Sequence, residues 1–127
     1  MSVIQTRGKR KVSGGLNKSS FTKRLHSLGR LPSNTKVNKK TFLQLRTRGG
    51  DLKKALLTID IVNVYDPAEK KYKKLKIKTV VENSANRNFV KRNIITKGAV
   101  VETEEGRVRI TSRPGQLPHV NGILIKE

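Results

Sequence analysis

The chain has 127 residues, and its 29 Lys and Arg against 9 Asp and Glu give a formal net charge of +20. Small soluble domains usually carry about 2–8 charges in magnitude, so this excess predicts a polyanionic partner. The lack of Cys excludes disulfide scaffolds, thiolate zinc sites and cysteine nucleophiles. No apolar run approaches the ~18 residues of a membrane span, and no hydrophobic stretch follows the basic N-terminus. We therefore expect a cytoplasmic protein without a membrane partner.

Charged and apolar residues are distributed unevenly along the chain. Residues 1–54 contain 15 Lys and Arg against one acidic residue, a net charge of +14, and only 14 of the 54 are apolar. Such a segment cannot bury enough surface to offset the entropy lost on ordering. Residues 55–127 carry +6 and include 29 apolar residues among 73. We predict a basic, extended N-terminal arm over residues 1–40 and a compact domain over 41–127.

The compact part alternates between apolar and polar residues, which predicts five or six strands. In chain order they cover Thr41–Thr47, Ala55–Val64, Tyr72–Val81, Ile94–Thr103 (bent at Gly98), Val108–Ser112 and Val120–Ile125. Turns are expected at Tyr65–Ala68, Glu104–Gly106 and Arg113–Gly115. Asn83-Ser84 predicts the N-cap of a short helix over Ala85–Lys91. The predicted fold class is mainly β, a small antiparallel β-barrel with one short helix and an extended basic N-terminal arm.

Residues that could support catalysis are few. The two histidines, His26 and His119, have no acidic neighbour at ligand or triad spacing, and we interpret them as ordinary surface or loop residues. The pairs Asp60 with Asp66 and Glu102 with Glu104 could serve a hydrolase. Charge neutralisation in a strand and exposure at a hairpin are the simpler interpretations of these residues, and we adopt them. We predict no enzyme, no cofactor, no metal site and no small-molecule substrate.

Basic residues in several groups indicate nucleic-acid binding. The arm contributes Arg7, Lys9, Arg10, Lys11, Lys23, Arg24 and Arg30, and later groups are Arg46 with Arg48, Lys74 with Lys76 and Lys78, and Arg92 with Lys97. Gly14 and Gly15 would let the backbone approach phosphates closely, and Gly49-Gly50 follow the two arginines. A solvated tail is the alternative for the arm. Protection of a sheet edge is an equal alternative for the three lysines.

Aromatic residues restrict the kind of nucleic acid. Phe21, Phe42, Phe89, Tyr65 and Tyr72 are the whole set, which is fewer than readers of single-stranded bases usually have. No zinc-finger, helix-turn-helix or long major-groove helix is predicted. These features favour a phosphate-dominated, salt-sensitive binder of folded RNA.

Several collinear motifs then resemble one known family. They are Lys9-Arg10-Lys11 with Ser13–Gly15, Leu28–Pro32, Arg46–Gly50, Asn63–Pro67, Val80–Asn86, Arg92–Ala99 and Thr111–Gln116. From about residue 7 to 125 the chain resembles the archaeal and eukaryotic small-subunit ribosomal protein eight family ("S-eight-e"), in its short archaeal form.

The resemblance implies a structural component of the small (30S) ribosomal subunit, located in cytoplasmic ribosomes. It implies a β-barrel with a basic extension, bound to 16S-type rRNA beside neighbouring ribosomal proteins, not as a homo-oligomer. It adds Arg113 to the expected RNA contacts, with Pro114 and Gly115 holding a turn. The alternative is a non-ribosomal nucleic-acid-binding protein, either chromatin-associated or an RNA chaperone.

Overall fold

The computed structural model describes residues 5, 8–18, 24–47 and 49–125. The contacts between Cα atoms divide the chain into two compact units, Met1–Pro32 and Ser33–Glu127. In the first unit, Arg10 pairs with Leu16 in an isolated antiparallel bridge, and one turn of 3-10 helix covers Leu25–Ser27. The described part of the first unit therefore contains a tight loop and a single helical turn.

The second unit contains eight strands and one short helix within its described residues. The strands are β1 (Lys36–Val37), β2 (Thr41–Arg46), β3 (Leu52–Ile59), β4 (Ile61–Asp66), β5 (Lys71–Glu82), β6 (Val100–Thr103), β7 (Arg107–Ile110) and β8 (Asn121–Leu124), and the helix is α1 (Arg87–Lys91). The predicted fold class, mainly β with a small barrel and one short helix, is confirmed.

Strands β4 to β8 close into a five-stranded barrel in sequence order. Neighbouring strands are antiparallel, except that β4 and β8 close the barrel in parallel. The other three strands form a separate sheet in the order β1-β3-β2. The single strand predicted over Ala55–Val64 is interrupted at Asp60, so β3 belongs to the three-stranded sheet and β4 to the barrel.

Aliphatic side chains fill the core. They come from the inward face of the barrel strands and from β3, together with the segments that precede β6 and β8, and among the described residues no aromatic ring takes part. The buried cluster consists of Leu56, Ile59, Val62, Val64, Leu75, Ile77, Val80, Ile95, Ala99, Val101, Val108, Ile110 and Val120. Burying β-branched residues on one side of each strand explains the alternation in the sequence.

The alternation on β5 changes at a bulge. Strict alternation along Tyr72–Val81 would place Thr79 on the inward face with Leu75 and Ile77, but Thr79 is exposed, and its hydroxyl donates to Glu102 Oε2 at 3.3 Å. The pairing of β5 with β6 shifts register between Ile77 and Thr79, so Val80 becomes the next buried residue. An extra residue in one strand reverses the side-chain alternation beyond it.

The helix and the strand after it begin later than predicted. Asn86, not Asn83, is the N-cap, since its side-chain oxygen accepts the Asn88 N–H at 2.9 Å. Residues 94–99, predicted as the start of a strand, form a bridge and a turn, and β6 begins at Val100. Gly98 lies in this turn with φ of +85°, a left-handed conformation that favours glycine.

Asn83 organises the connection between β5 and β6. Its buried amide donates to the Ile94 carbonyl at 3.2 Å and accepts the Ala85 N–H at 3.0 Å and the Thr96 hydroxyl at 3.1 Å. Three bonds from one side chain satisfy groups that have no strand partner. Asn83 thus has a conformational role three residues before the helix cap at Asn86.

Replacing Gly122 with Ala should destabilise the barrel. A Cβ on Gly122 would lie 2.9 Å from the Arg109 carbonyl oxygen and would also collide with the Val108 side chain, so β7 and β8 would have to separate. Forcing an extra methyl into a packed site costs about 1–3 kcal/mol. Thermal unfolding should show a melting temperature lower by several degrees. Gly15→Ala, where the nearest atom is 3.9 Å away, is the control, and equal melting of the two variants would contradict the close approach.

Replacing Asn83 with Leu should unfold the β5–β6 connection more easily. The change leaves the buried Ile94 carbonyl without its side-chain partner and also removes the bond to the Ala85 N–H, at a cost of about 1–3 kcal/mol. Urea unfolding measures the loss. The matched control is Asn88→Leu, at an exposed position of α1, and a similar loss in both variants would argue against the buried network.

Candidate nucleic-acid interface

A tight basic loop covers Lys9–Asn17. The Lys11 N–H donates to the Gly15 carbonyl at 2.8 Å, and the Asn17 N–H donates to that of Lys9 at 2.9 Å. Gly14 has φ of +82°, and its carbonyl accepts the Arg10 Nη1 at 2.9 Å. The loop therefore uses its glycines to turn the chain and leaves Lys9 and Lys11 exposed.

The remaining arm candidates lie around the 3-10 turn or outside the described residues. Arg24 immediately precedes the turn and Arg30 follows it, and both are exposed. Arg7 and Lys23 lie outside the described residues.

Arg46 is the last residue of β2 and is exposed at the tip of the β2–β3 hairpin. The Thr47 N–H donates to the Asp51 carbonyl at 2.7 Å, and Gly49 and Gly50 adopt φ of +97° and +98°. Both glycines thus have a conformational reason for their place in this turn. Arg48, predicted on the same strand face as Arg46, lies outside the described residues.

Lys74, Lys76 and Lys78 form an exposed row on β5, opposite the buried Leu75 and Ile77. None of the three has a carboxylate within 4 Å among the residues that the structure describes. β5 is one of the strands that form the wall of the closed barrel, and it pairs with β4 as far as Lys76 and with β6 from Ile77. Because β5 has neighbours on both sides, protection of a sheet edge does not explain the whole row.

Lys73 on the same strand differs from these three lysines. Its ammonium lies 3.0 Å from Glu105 Oε2 and 3.5 Å from Glu69 Oε2. The hydrogen bond to Glu105, with the charges of both carboxylates, raises the pKa of Lys73 above its usual value. Lys73 is therefore a charged residue that already has partners.

The last candidates lie on loops of the second unit. Arg92 is the C-cap of α1, Lys97 lies in the turn before β6, and Arg113 is exposed before the 114–116 turn. Pro114 is buried, and its carbonyl accepts the Leu56 N–H at 3.0 Å. A Cβ on Gly115 would lie 2.7 Å from the Ser33 hydroxyl, so this glycine allows a close approach. Within the second unit, the described cations are spread over several elements.

The main feature that sequence reasoning missed is a pair of tyrosines. Tyr65 on β4 lies directly opposite Tyr72 on β5, with ring centroids 5.0 Å apart and planes at 42°. The two residues flank the Asp66-Pro67 turn, whose hairpin register places them together. The register of the predicted hairpin could have shown from the sequence that the two tyrosines lie opposite each other.

Among the carboxylates considered for catalysis, Asp66 has a structural role. Asp66 is buried, and its Oδ1 accepts the Ala68 N–H at 2.9 Å in the predicted turn. His119 and Asp60 line a hollow of about 270 Å³ together with Lys40 and Lys74.

The described residues contain no group of three or more His, Cys, Asp or Glu side chains placed to hold a metal ion. In this same part of the chain no helix is long and apolar enough to cross a membrane.

Comparison with known proteins identifies the family. The model of the family described as ribosomal protein S8e matches residues 4–125. The small ribosomal subunit protein eS8 of Methanobrevibacter smithii is 48% identical over 98% of this chain and 100% of the relative. Its counterparts from Picrophilus torridus and Nanoarchaeum equitans are each 45% identical, covering 98% and 96% of this chain and 100% and 96% of the relatives. The full-length match with these archaeal proteins shows that the chain belongs to the ribosomal protein S8e family.

Proposed function

We propose that this protein is a non-catalytic constituent of the small ribosomal subunit that binds and stabilises folded small-subunit rRNA. Its Lys and Arg side chains contact converging phosphates, and the part of the predicted arm that precedes the second unit, residues 1–32, lies between rRNA helices. Neighbouring small-subunit proteins are further partners. The site of action is the cytoplasmic ribosome.

The observation that carries this proposal is the full-length match to small ribosomal subunit proteins, joined with the charge. Nine carboxylates cannot neutralise 29 cations within the chain. Exposed rows such as Lys74, Lys76 and Lys78 offer the phosphate contacts that folded RNA would use. The arm candidates, Arg46 with Arg48, and Arg92, Lys97 and Arg113 would extend these contacts over several rRNA segments.

Association with small subunits tests the proposal directly. Purified small subunits from the source cells should retain one copy of the protein after a salt wash that removes loosely bound proteins, and still higher salt should release it, because its phosphate contacts are salt-sensitive. A tagged Arg46→Ala, Arg48→Ala double variant should co-sediment less than the tagged wild type. Absence of the protein from washed subunits, with equal binding to DNA and RNA, would instead support a non-ribosomal binder.

The salt dependence of rRNA binding tests the row on β5. Each Lys that contacts a phosphate contributes about one to the slope of log Kobs against log salt. The Lys76→Gln, Lys78→Gln double variant should therefore lower the magnitude of the slope by about two. Lys73→Gln is the matched control, because Glu69 and Glu105 already engage that ammonium, and it should change the slope less. A slope unchanged in the double variant would remove these lysines from the interface.

A further inference from the structure

A shallow groove lies on the outer face of the barrel where β5, β4 and β8 run side by side. It has a volume of about 650 Å³ and includes both tyrosines of the chain in its lining. Two rows of outward-facing residues cross it, two positions apart along the strands. One row is aromatic and apolar, and the other carries amides and a cation.

The aromatic row is Tyr72, Tyr65 and Ile123. Tyr72 pairs with Tyr65 across β5 and β4, and Tyr65 pairs with Ile123 across β4 and β8. Tyr72 is 80% exposed, although its ring packs against that of Tyr65 with a centroid distance of 5.0 Å. An aromatic ring that is held from one side and open on the other offers a face for stacking. Arg109 on β7 pairs with Ile123 on β8 and therefore places a guanidinium at the end of this row.

The amide row is Lys74, Asn63 and Asn121. Lys74 pairs with Asn63, and Asn63 pairs with Asn121, whose Oδ1 accepts the Asn63 Nδ2 at 3.2 Å. The bond orients both amides and leaves Asn63 Oδ1 and Asn121 Nδ2 without a partner in the described part of the chain. The row thus presents one acceptor and one donor beside the tyrosine faces, with the Lys74 ammonium at its end.

The charges around the groove favour a polyanion. The described lining contains no carboxylate, and its lysines are Lys74, which has no carboxylate of the described residues within 4 Å, and Lys73, which has two. Glu69 and Glu105, the nearby acids, are engaged by Lys73 and do not compete for the other cations. Apolar surface in the groove is limited to the rings and Ile123, which is too little for the apolar centre of a protein–protein interface.

We propose that this groove binds an unpaired nucleotide of the small-subunit rRNA, with its base stacked on Tyr72. The amides of Asn63 and Asn121 meet the base edge, and Lys74 and Arg109 contact the adjoining phosphates. Proteins read single-stranded RNA in this way, by stacking splayed bases on aromatic rings and bonding their edges. The inference rests on the proposed rRNA binding and adds a site within it that reads a base.

The affinity for transcribed small-subunit rRNA separates stacking from phosphate contact. Tyr72→Ala should weaken binding about 10-fold, the scale of one lost base–aromatic stack. The salt slope should not change, because no cation has been removed. Tyr72→Phe keeps the ring and should restore most of the affinity, whereas Tyr72→Leu keeps apolar bulk without a planar face and should resemble Tyr72→Ala. The far-ultraviolet circular dichroism of each variant verifies folding.

Photocrosslinking gives a second, independent measurement. Ultraviolet irradiation of the wild-type complex, followed by mass spectrometry, should yield a peptide containing Tyr72 joined to a nucleotide. Affinities within twofold for wild type and Tyr72→Ala, with no crosslink, would overturn the groove site and leave the proposed function standing. A wild type that does not bind the rRNA would overturn both. If Tyr72→Ala matches wild type on rRNA but is lost from subunits reconstituted with the other ribosomal proteins, the groove binds a protein and the inference is wrong.

Discussion

The excess of positive charge is the physical constraint on which the rest of this structure depends. Nine carboxylates face 29 cations, so a net excess of twenty positive charges is not balanced within the chain. Mutual repulsion of such charges destabilises a compact state. In the second unit the buried core cluster consists of aliphatic residues, and the candidate cations are exposed. Exposure lowers the cost of the repulsion, because water and salt screen charges at the surface. Lys73, with its two carboxylates, is the exception among the lysines of β5.

Closure of the barrel determines which outer residues meet. The parallel pairing of β4 with β8 brings Asn63 beside Asn121 and Tyr65 beside Ile123. Gly122 makes this possible, since any side chain at that position would press on β7. The same closure that completes the core therefore assembles an outer surface from residues almost sixty positions apart in the chain.

Local pattern predicted the barrel strands, the hairpin of β4 and β5 and the exposed row on β5, because alternation and turn chemistry are local properties. The turn of that hairpin lies at residues 67–70, two residues later than the predicted Tyr65–Ala68, because β4 continues to Asp66. The bulge at Thr79 was not predictable from alternation, since it depends on how β6 pairs with β5. Asn83 was misread as a helix cap, because an Asn in a loop can cap a helix or bond distant backbone groups, and only the fold decides. Counting aromatic residues missed the paired tyrosines, since the number of rings says nothing of their placement.

The parallel pairing of β4 with β8 also bears on how the protein is made. A chain emerging from a ribosome cannot close this barrel until residues 121–124 have left the exit tunnel. The hairpin of β4 and β5 forms from local contacts, whereas the closing pairs join residues 58 positions apart, and such distant contacts form slowly. During synthesis the basic segments therefore emerge before the barrel can close, next to the RNA of the translating ribosome. Premature capture by that RNA is a hazard that the order of folding imposes on this chain.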